Sequence, residues 1–278
     1  MLATLSIYLT YPFVVHAIIV GVLVALCSSL LGTTLVMKRL SFIGDGLSHV
    51  AFGAYAVAAV MSMTSSMIVT VPVTVAVAIL ILRRPQTSAI KGDAAMTMLS
   101  VGALAFGYLI MNVFSTSSNV SGDVCSSLFG STSLLTLTSR EVMGCIVLSA
   151  VVVALFVALY NRIFSVTFDE PFAKATGVAT SRYNLVLAVM ISLVVVVGMN
   201  LVGALLLSAL VVFPSIAAMR VSRTFKGVTL LSAIISVVCA LVGMLVSIVW
   251  STPVGATVVM FDVLAFFVAY LIGHVRGV

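Results

Sequence analysis

One short run of the chain concentrates groups able to hold a cation: Lys38-Arg39-Leu40-Ser41-Phe42-Ile43-Gly44-Asp45-Gly46-Leu47-Ser48-His49. Asp45 and His49 stand four residues apart, so on a helix they share one face, one turn apart. A carboxylate and an imidazole so placed make half of a site for a divalent transition metal. Gly44 and Gly46 flank the carboxylate with minimal bulk, which allows a close helix approach or an exposed backbone carbonyl. The same spacing also admits a plainer arrangement. Asp45 would then lie about a turn inside a membrane interface, paired with Lys38 or Arg39, and His49 would hydrogen-bond a neighbouring helix.

A second run, Phe168-Asp169-Glu170-Pro171-Phe172-Ala173-Lys174-Ala175-Thr176-Gly177-Val178, carries docking rather than ligating groups. Asp169, Glu170 and Pro171 can start a short helix, since acids favour an N-terminus and proline suits the first turn. Phe172, Ala173 and Thr176 then present a small apolar face, and Gly177 ends the helix. One aromatic knob on a short helix fits a groove on a partner protein; the alternative is a merely solvated loop. No nucleophile–base constellation appears, and no Gly-Lys-Ser or Gly-Lys-Thr that would cradle nucleotide phosphates. His16 reads as an interface or bundle hydrogen-bonder, and His274 and Arg276 read as solvated at one membrane face. Met61 and Met63 offer only a weak case for recruiting a soft metal. Asp262 is a second acid inside an apolar run, which either touches a polar path or pairs with a neighbouring polar group. Cys27, Cys125, Cys145 and Cys239 lack Cys-x-x-Cys spacing and read as small packing residues.

The elements that position these groups follow from composition. Of 278 residues, 63% are hydrophobic and 7% charged, against about a quarter charged in an average soluble domain. With a mean hydropathy of +1.36, a soluble globule would expose large apolar patches. An ordinary soluble enzyme, a disulfide scaffold and a disordered chain are excluded, which leaves an all-α integral membrane protein. The net charge of +6 would suit nucleic acid, yet the bases are scattered singly between apolar runs. Their distribution reads as a topology signal, and no nucleic acid partner is expected.

A helix needs about 20 residues to cross the hydrocarbon core. The gaps between charges give about nine transmembrane helices, near 13–36, 41–60, 67–82, 96–114, 141–160, 183–199, 201–219, 228–249 and 255–273. Period-2 alternation is lacking, which argues against a barrel. Strict alternation puts Lys38, Arg39, Arg83, Arg84, Lys91, Arg162, Lys174, Arg182, Arg220, Arg223, Lys226 and Arg276 on one face and only Arg140 on the other. By the positive-inside rule the N-terminus is then outside and the C-terminus inside. The opening MLATLSIYLTYPF lacks a basic n-region and a clear cleavage site, so the first apolar run is expected to remain a helix. Two crossings within 183–219 demand an abrupt break, placed at Gly198-Met199-Asn200-Leu201-Val202-Gly203. That break is either a broken hairpin of the kind that lines transport paths or an ordinary tight external turn. The Ser-, Thr- and Gly-rich loop 115–140 is either a solvated surface or a re-entrant element.

The stretch VMKRLSFIGDGLSHVAFGAYAVA resembles the signature of the zinc/manganese/iron ABC-transporter permease family. Residues 12–39, the stretch FDEPFAKATGV (168–178), the run VGALLLSALVVFPSIAAMR (202–220) and STPVGA (251–256) extend the likeness over nearly the whole chain. The GDGLSH segment is the most specific of these matches. The resemblance implies one permease domain over 1–278, a polytopic bundle with a vitamin B12-permease-like core in a bacterial or archaeal cell membrane. It implies translocation of zinc, manganese or iron into the cytoplasm, with the ion as cargo and no permanently bound cofactor. Implied partners are an ATP-binding subunit on the cytoplasmic side, an extracytoplasmic metal-binding protein and a second permease copy. Asp45 and His49 match the family's acidic–histidine pair. Asp169, Glu170, Phe172, Ala173 and Gly177 match its ATPase-coupling loop, although Asp-Glu-Pro departs from the usual Asp-Pro-Glu or Asp-Glu-Glu. The chain itself is not expected to be an enzyme. A self-sufficient ion-coupled carrier or channel is the competing class, and it would leave the 169–177 loop without a task.

Overall fold

A computed structural model describes residues 10–61, 63, 66–82, 92–114 and 137–275. Cys125, Arg83, Arg84, Lys91, Arg276 and nearly all of the 115–140 loop lie outside the described residues. Eleven helices account for most of what is described: α1 (Pro12–Met37), α2 (Ile43–Val60), α3 (Met67–Leu82), α4 (Gly92–Phe114), α5 (Ser139–Ala158), α6 (Tyr160–Phe168), α7 (Glu170–Ala175), α8 (Thr180–Val202), α9 (Ala204–Val221), α10 (Phe225–Trp250) and α11 (Val254–Val275). Among the described residues there is no strand. Eight of the helices are long and apolar enough to cross a membrane. The ninth apolar helix, α3, has 16 residues and rises only about 24 Å.

Burial sorts the helices into a centre and a periphery. Two thirds of the α2 and α8 spans (67%) are buried inside the protein, against 22% of α4 and α11. The span richest in glycine and polar groups, α2, is therefore among the most enclosed, as expected where the surroundings are protein rather than lipid. α1 packs against α9 and α10, α9 against α11, and α2 against α3 and α4. Small residues permit these approaches. A side chain at Gly32 on α1 would strike the Val211 carbonyl of α9, so two backbones meet there. Serine hydroxyls stitch the same region: Ser236 Oγ on α10 donates to the Ala25 carbonyl at 2.9 Å, and Ser215 and Ser232 lie 3.4 Å apart.

The bases gather at one end through contacts rather than by alternation alone. Lys38 at the end of α1 meets Glu170 of α7 and Asn184 of α8. Gly273 near the end of α11 abuts the Arg220 carbonyl, and the Arg220 guanidinium lies 5.6 Å from the Tyr270 ring centroid. Phe225, opening α10, stacks on Tyr160 and Phe164 of α6 at 5.3 and 5.1 Å. Arg140, at the start of α5, belongs to the opposite helix ends, beside a capping box in which Thr138 and Glu141 exchange side-chain and backbone hydrogen bonds.

The 183–219 stretch breaks at Gly203, the last residue of the window expected to break. Its φ of 91° and ψ of 155° lie where only glycine sits without strain. The chain reverses there, because a Cβ on Gly198 would come 2.7 Å from Leu207 Cδ1. In one continuous helix residues 198 and 207 would be about 13.5 Å apart along the axis. Leu201, Val202, Gly203 and Ala204 are all buried, so this is an internal helix break and not a solvated turn.

Candidate functional site

Asp45 lies in the first turn of α2 and His49 one turn further on. Their side chains meet, with Asp45 Oδ1 3.4 Å from His49 Nε2. The carboxylate is one third exposed and the imidazole 16% exposed, so the pair is recessed yet reachable. His49 Nδ1 is buried without a hydrogen-bond partner among the described residues. Two donors each about 2.1 Å from a tetrahedrally coordinated ion lie roughly 3.4 Å apart. The observed separation therefore matches one edge of such a ligand set. Among the described residues no group of three or more His, Cys, Asp or Glu side chains forms a metal cluster. What the fold assembles is a carboxylate–imidazole pair.

A second helix joins the pair. Ser208, one turn past the Gly203 break, places its hydroxyl 3.3 Å from Asp45 Oδ1 and 2.9 Å from the Ala204 carbonyl. A hydroxyl carries one proton, so at any moment it donates either to Asp45 or to its own helix. The broken hairpin thus puts α9 directly against the Asp45 carboxylate. Gly46 lets the buried Met96 of α4 settle against α2, since a Cβ there would come 2.5 Å from Met96 Cε. Gly44 has ordinary clearance, its nearest neighbour being Val211 at 3.5 Å. Sequence reasoning missed Ser208 and Met96. Nothing in their spacing links them to Asp45, and the contacts are purely tertiary.

The pairing of Asp45 with Lys38 does not form. Lys38 Nζ instead donates to Asn184 Oδ1 at 2.6 Å and lies 3.7 Å from Glu170 Oε2. Asn184 Nδ2 in turn donates to Glu170 Oε1 at 2.8 Å. The Lys38 side chain is only 10% exposed. Burial lowers its pKa, while the neighbouring Glu170 carboxylate pulls it back up.

The 161–182 segment folds as two short helices. Asp169 caps α7, its Oδ1 accepting from the Phe172 backbone N–H at 2.9 Å, and Pro171 occupies the first turn. Past the end of α7, Gly177 takes a φ of 83°. The N–H groups of Gly177 and Val178 return to the Lys174 and Ala173 carbonyls, a Schellman closure. The apolar residues do not share one face. Ala173 is fully buried against the bundle, whereas Phe172 is 63% exposed. Helical geometry separates adjacent residues by about 100°, so α7 anchors with Ala173 and projects the Phe172 ring outward.

The remaining candidates fall elsewhere. Asp262 is buried in α11, where it faces the Cys239 thiol of α10. Cys27, Cys145 and Cys239 are buried free thiols. Met61 and Met63 are exposed at the far end of α2.

The family model described as ABC 3 transport family matches residues 10–273. The manganese transport system membrane protein MntC of Listeria monocytogenes is 26% identical over 267 residues, covering 96% of this chain and 93% of that protein. The high-affinity zinc uptake system membrane protein ZnuB of Buchnera aphidicola is 22% identical over 240 residues, covering 86% and 90%. Among solved structures, PsaBC from Streptococcus pneumoniae in complex with Fab superposes with a TM-score of 0.83 at 23% identity, over 97% of this chain and 95% of that one.

Proposed function

This chain belongs to the ABC 3 transport family, and on that premise we propose that it carries a divalent transition metal ion into the cytoplasm, driven by a separate ATPase subunit. It is a multi-pass cell-membrane protein of the metal ABC transporter permeases, whose ATP-binding partner is a separate subunit. The observation that carries the finer reading is the Asp45–His49 pair, a recessed carboxylate and imidazole 3.4 Å apart on an enclosed helix. The ion is cargo, and a conducting site must bind strongly enough to admit it and weakly enough to release it. Two protein donors, with water completing the shell, suit that requirement better than a closed four-ligand cage.

The Asp45 carboxylate supplies the charge that replaces part of the ion's hydration, and the His49 nitrogen supplies the preference for a transition metal over magnesium or calcium. Ser208 holds the carboxylate while the site is empty. The base-rich end carrying Lys38, Lys174, Arg182 and Arg220 is the cytoplasmic one. There α7 meets the ATPase subunit, inserting Phe172. On the opposite face an extracytoplasmic metal-binding protein delivers the ion, and two copies of the chain enclose the path. Manganese, zinc and iron(II) all accept an oxygen–nitrogen pair, so the two donors do not choose among them.

The test is metal uptake by proteoliposomes holding the chain with its ATPase subunit, supplied in turn with Mn²⁺, Zn²⁺ and Fe²⁺. Asp45→Ala and His49→Ala are each expected to abolish uptake while the ATPase subunit still co-purifies. Full uptake in either variant removes the site assignment. Uptake that persists without the ATPase subunit makes the chain a self-sufficient carrier and overturns the proposal.

A further inference from the structure

The Lys38–Asn184–Glu170 triangle joins three segments far apart in sequence. Lys38 caps the end of α1 and opens the turn into α2, seven residues before Asp45. Asn184 lies in α8 and is 4% exposed. Glu170 is the first residue of α7, its side chain nearly half exposed. The amide lies between the two charges, accepting from the ammonium with Oδ1 and donating to the carboxylate with Nδ2. An amide carries its acceptor oxygen and its donor nitrogen as separate atoms, so it does both at once.

The attachments of α7 give this triangle its weight. A helix of 6 residues cannot persist unaided, because nucleation is unfavourable and few bonds repay it. Ala173 is its one buried residue, and Glu170 supplies its polar tie to the bundle. The other end of the tie is also constrained. Arg39, next to Lys38, holds a left-handed φ of 58°, and the Arg39 and Leu40 N–H groups close a Schellman turn on the Val36 and Leu35 carbonyls. That turn is wound tightly and leads within a few residues to Asp45. When α7 moves, the Lys38 ammonium either follows Glu170 or remains buried without its counter-charge, which is costly. Following is the cheaper course, and it moves the start of α2.

We propose that Lys38, Asn184 and Glu170 form a strut that ties the position of α7 to the first turn of α2. Lys38 and Asn184 are then positioning residues for the Asp45–His49 site. The strut deepens the reading given under Proposed function, since it matters for transport only if α7 meets the ATPase and α2 meets the ion.

Asn184→Asp tests it most cleanly. The new carboxylate still receives Lys38, so the buried ammonium keeps a partner, but the donor to Glu170 is gone and two carboxylates now face each other. Amide hydrogen exchange on the purified full chain is read at residues 38–48 and at 169–177. Both segments are expected to exchange at least tenfold faster together, with α10 unchanged. Wild-type protection in the 38–48 segment overturns the strut, whatever the transport result. The same variant, with Lys38→Met, is then measured in proteoliposomes with the ATPase subunit, counting Mn²⁺ ions moved per ATP hydrolysed. That ratio is expected to fall at least tenfold in each. Lys38→Met and Glu170→Gln combined should be no worse than either alone, and exchanging the charges (Lys38→Glu with Glu170→Lys) should restore at least a third of the ratio. A wild-type ratio in Asn184→Asp, or additive losses in the double variant, overturns the proposal. Should wild-type vesicles move no Mn²⁺ on ATP, the transport reading fails while hydrogen exchange still decides the strut.

Discussion

Gly203→Ala probes the hairpin on which the α9 side of the site depends. Gly203 combines φ 91° with ψ 155°, a region in which a residue bearing a Cβ is strained by about 1–3 kcal/mol. The surroundings offer no escape, because residues 201 to 204 are all buried and Leu207 is packed over Gly198. Relaxation of the substituted residue to helical angles would fuse α8 with α9 and carry Leu207 away from Gly198. The expected outcome is the strained fold, destabilised by about 1–3 kcal/mol. For a chain of this size each kcal/mol moves the melting temperature by roughly 2–4 °C, so a fall of roughly 2–12 °C is expected. Thermal unfolding of the detergent-purified chain, followed by circular dichroism, measures it. Gly102→Ala on α4 serves as the opposite-signed control: nothing lies within 4 Å of a Cβ there, and alanine in a helix interior gains up to about 1 kcal/mol over glycine. A Gly203→Ala variant melting at or above the wild type refutes the reasoning, since α8 and α9 would then not reverse at a glycine-only conformation.

Three further outcomes follow from single contacts. Phe172→Asp, which turns the outward ring of α7 into a charge, is expected to weaken co-purification of the ATPase subunit at least tenfold; undiminished recovery counts against α7 as the docking element. Ser208→Ala removes one hydrogen bond that Asp45 accepts in the empty site, worth about 1 kcal/mol, so Mn²⁺ affinity measured by calorimetry on the purified chain should change by no more than about fivefold. A loss comparable to that of Asp45→Ala would make Ser208 a ligand in its own right. Asp262→Ala removes a buried carboxyl that faces the Cys239 thiol, a weak hydrogen-bond donor; burying a poorly paired polar group costs about 1–3 kcal/mol, so the melting temperature is expected to rise, and a fall would show that the thiol pairing outweighs that cost.

Much of the fold was legible because charge is so scarce. Each gap between charges had to be filled by helix, and the expected spans at 67–82 and 201–219 lie close to the observed α3 and α9. The break in 183–219 could be placed within six residues from its glycines, although choosing Gly203 needed the backbone angles. Asp45 and His49 were legible because helical spacing alone brings i and i+4 together. Asn184 and Ser208 were not. Each is a modest polar residue in or beside an apolar run, and its partner lies 146 or 163 residues away, so only the packing of helices reveals what it touches. The face of α7 was misread for a related reason. Phe172 and Ala173 are both apolar, and only their packing shows that the smaller one fits against the bundle while the larger projects.

The contact between Gly32 and the Val211 carbonyl has a mechanical meaning. Where side chains separate two helices, rotamer changes let one slide or roll over the other. Where backbone meets backbone there is no such cushion, and the serine bonds from Ser236 to Ala25 and between Ser215 and Ser232 fasten the same neighbourhood. α1 and α9 therefore behave as a welded pair. The same closeness recurs where Gly273 of α11 meets the Arg220 carbonyl of α9 and where Gly53 of α2 meets the Ala103 carbonyl of α4, so any movement of the bundle carries α1, α9 and α11 together and α2 with α4.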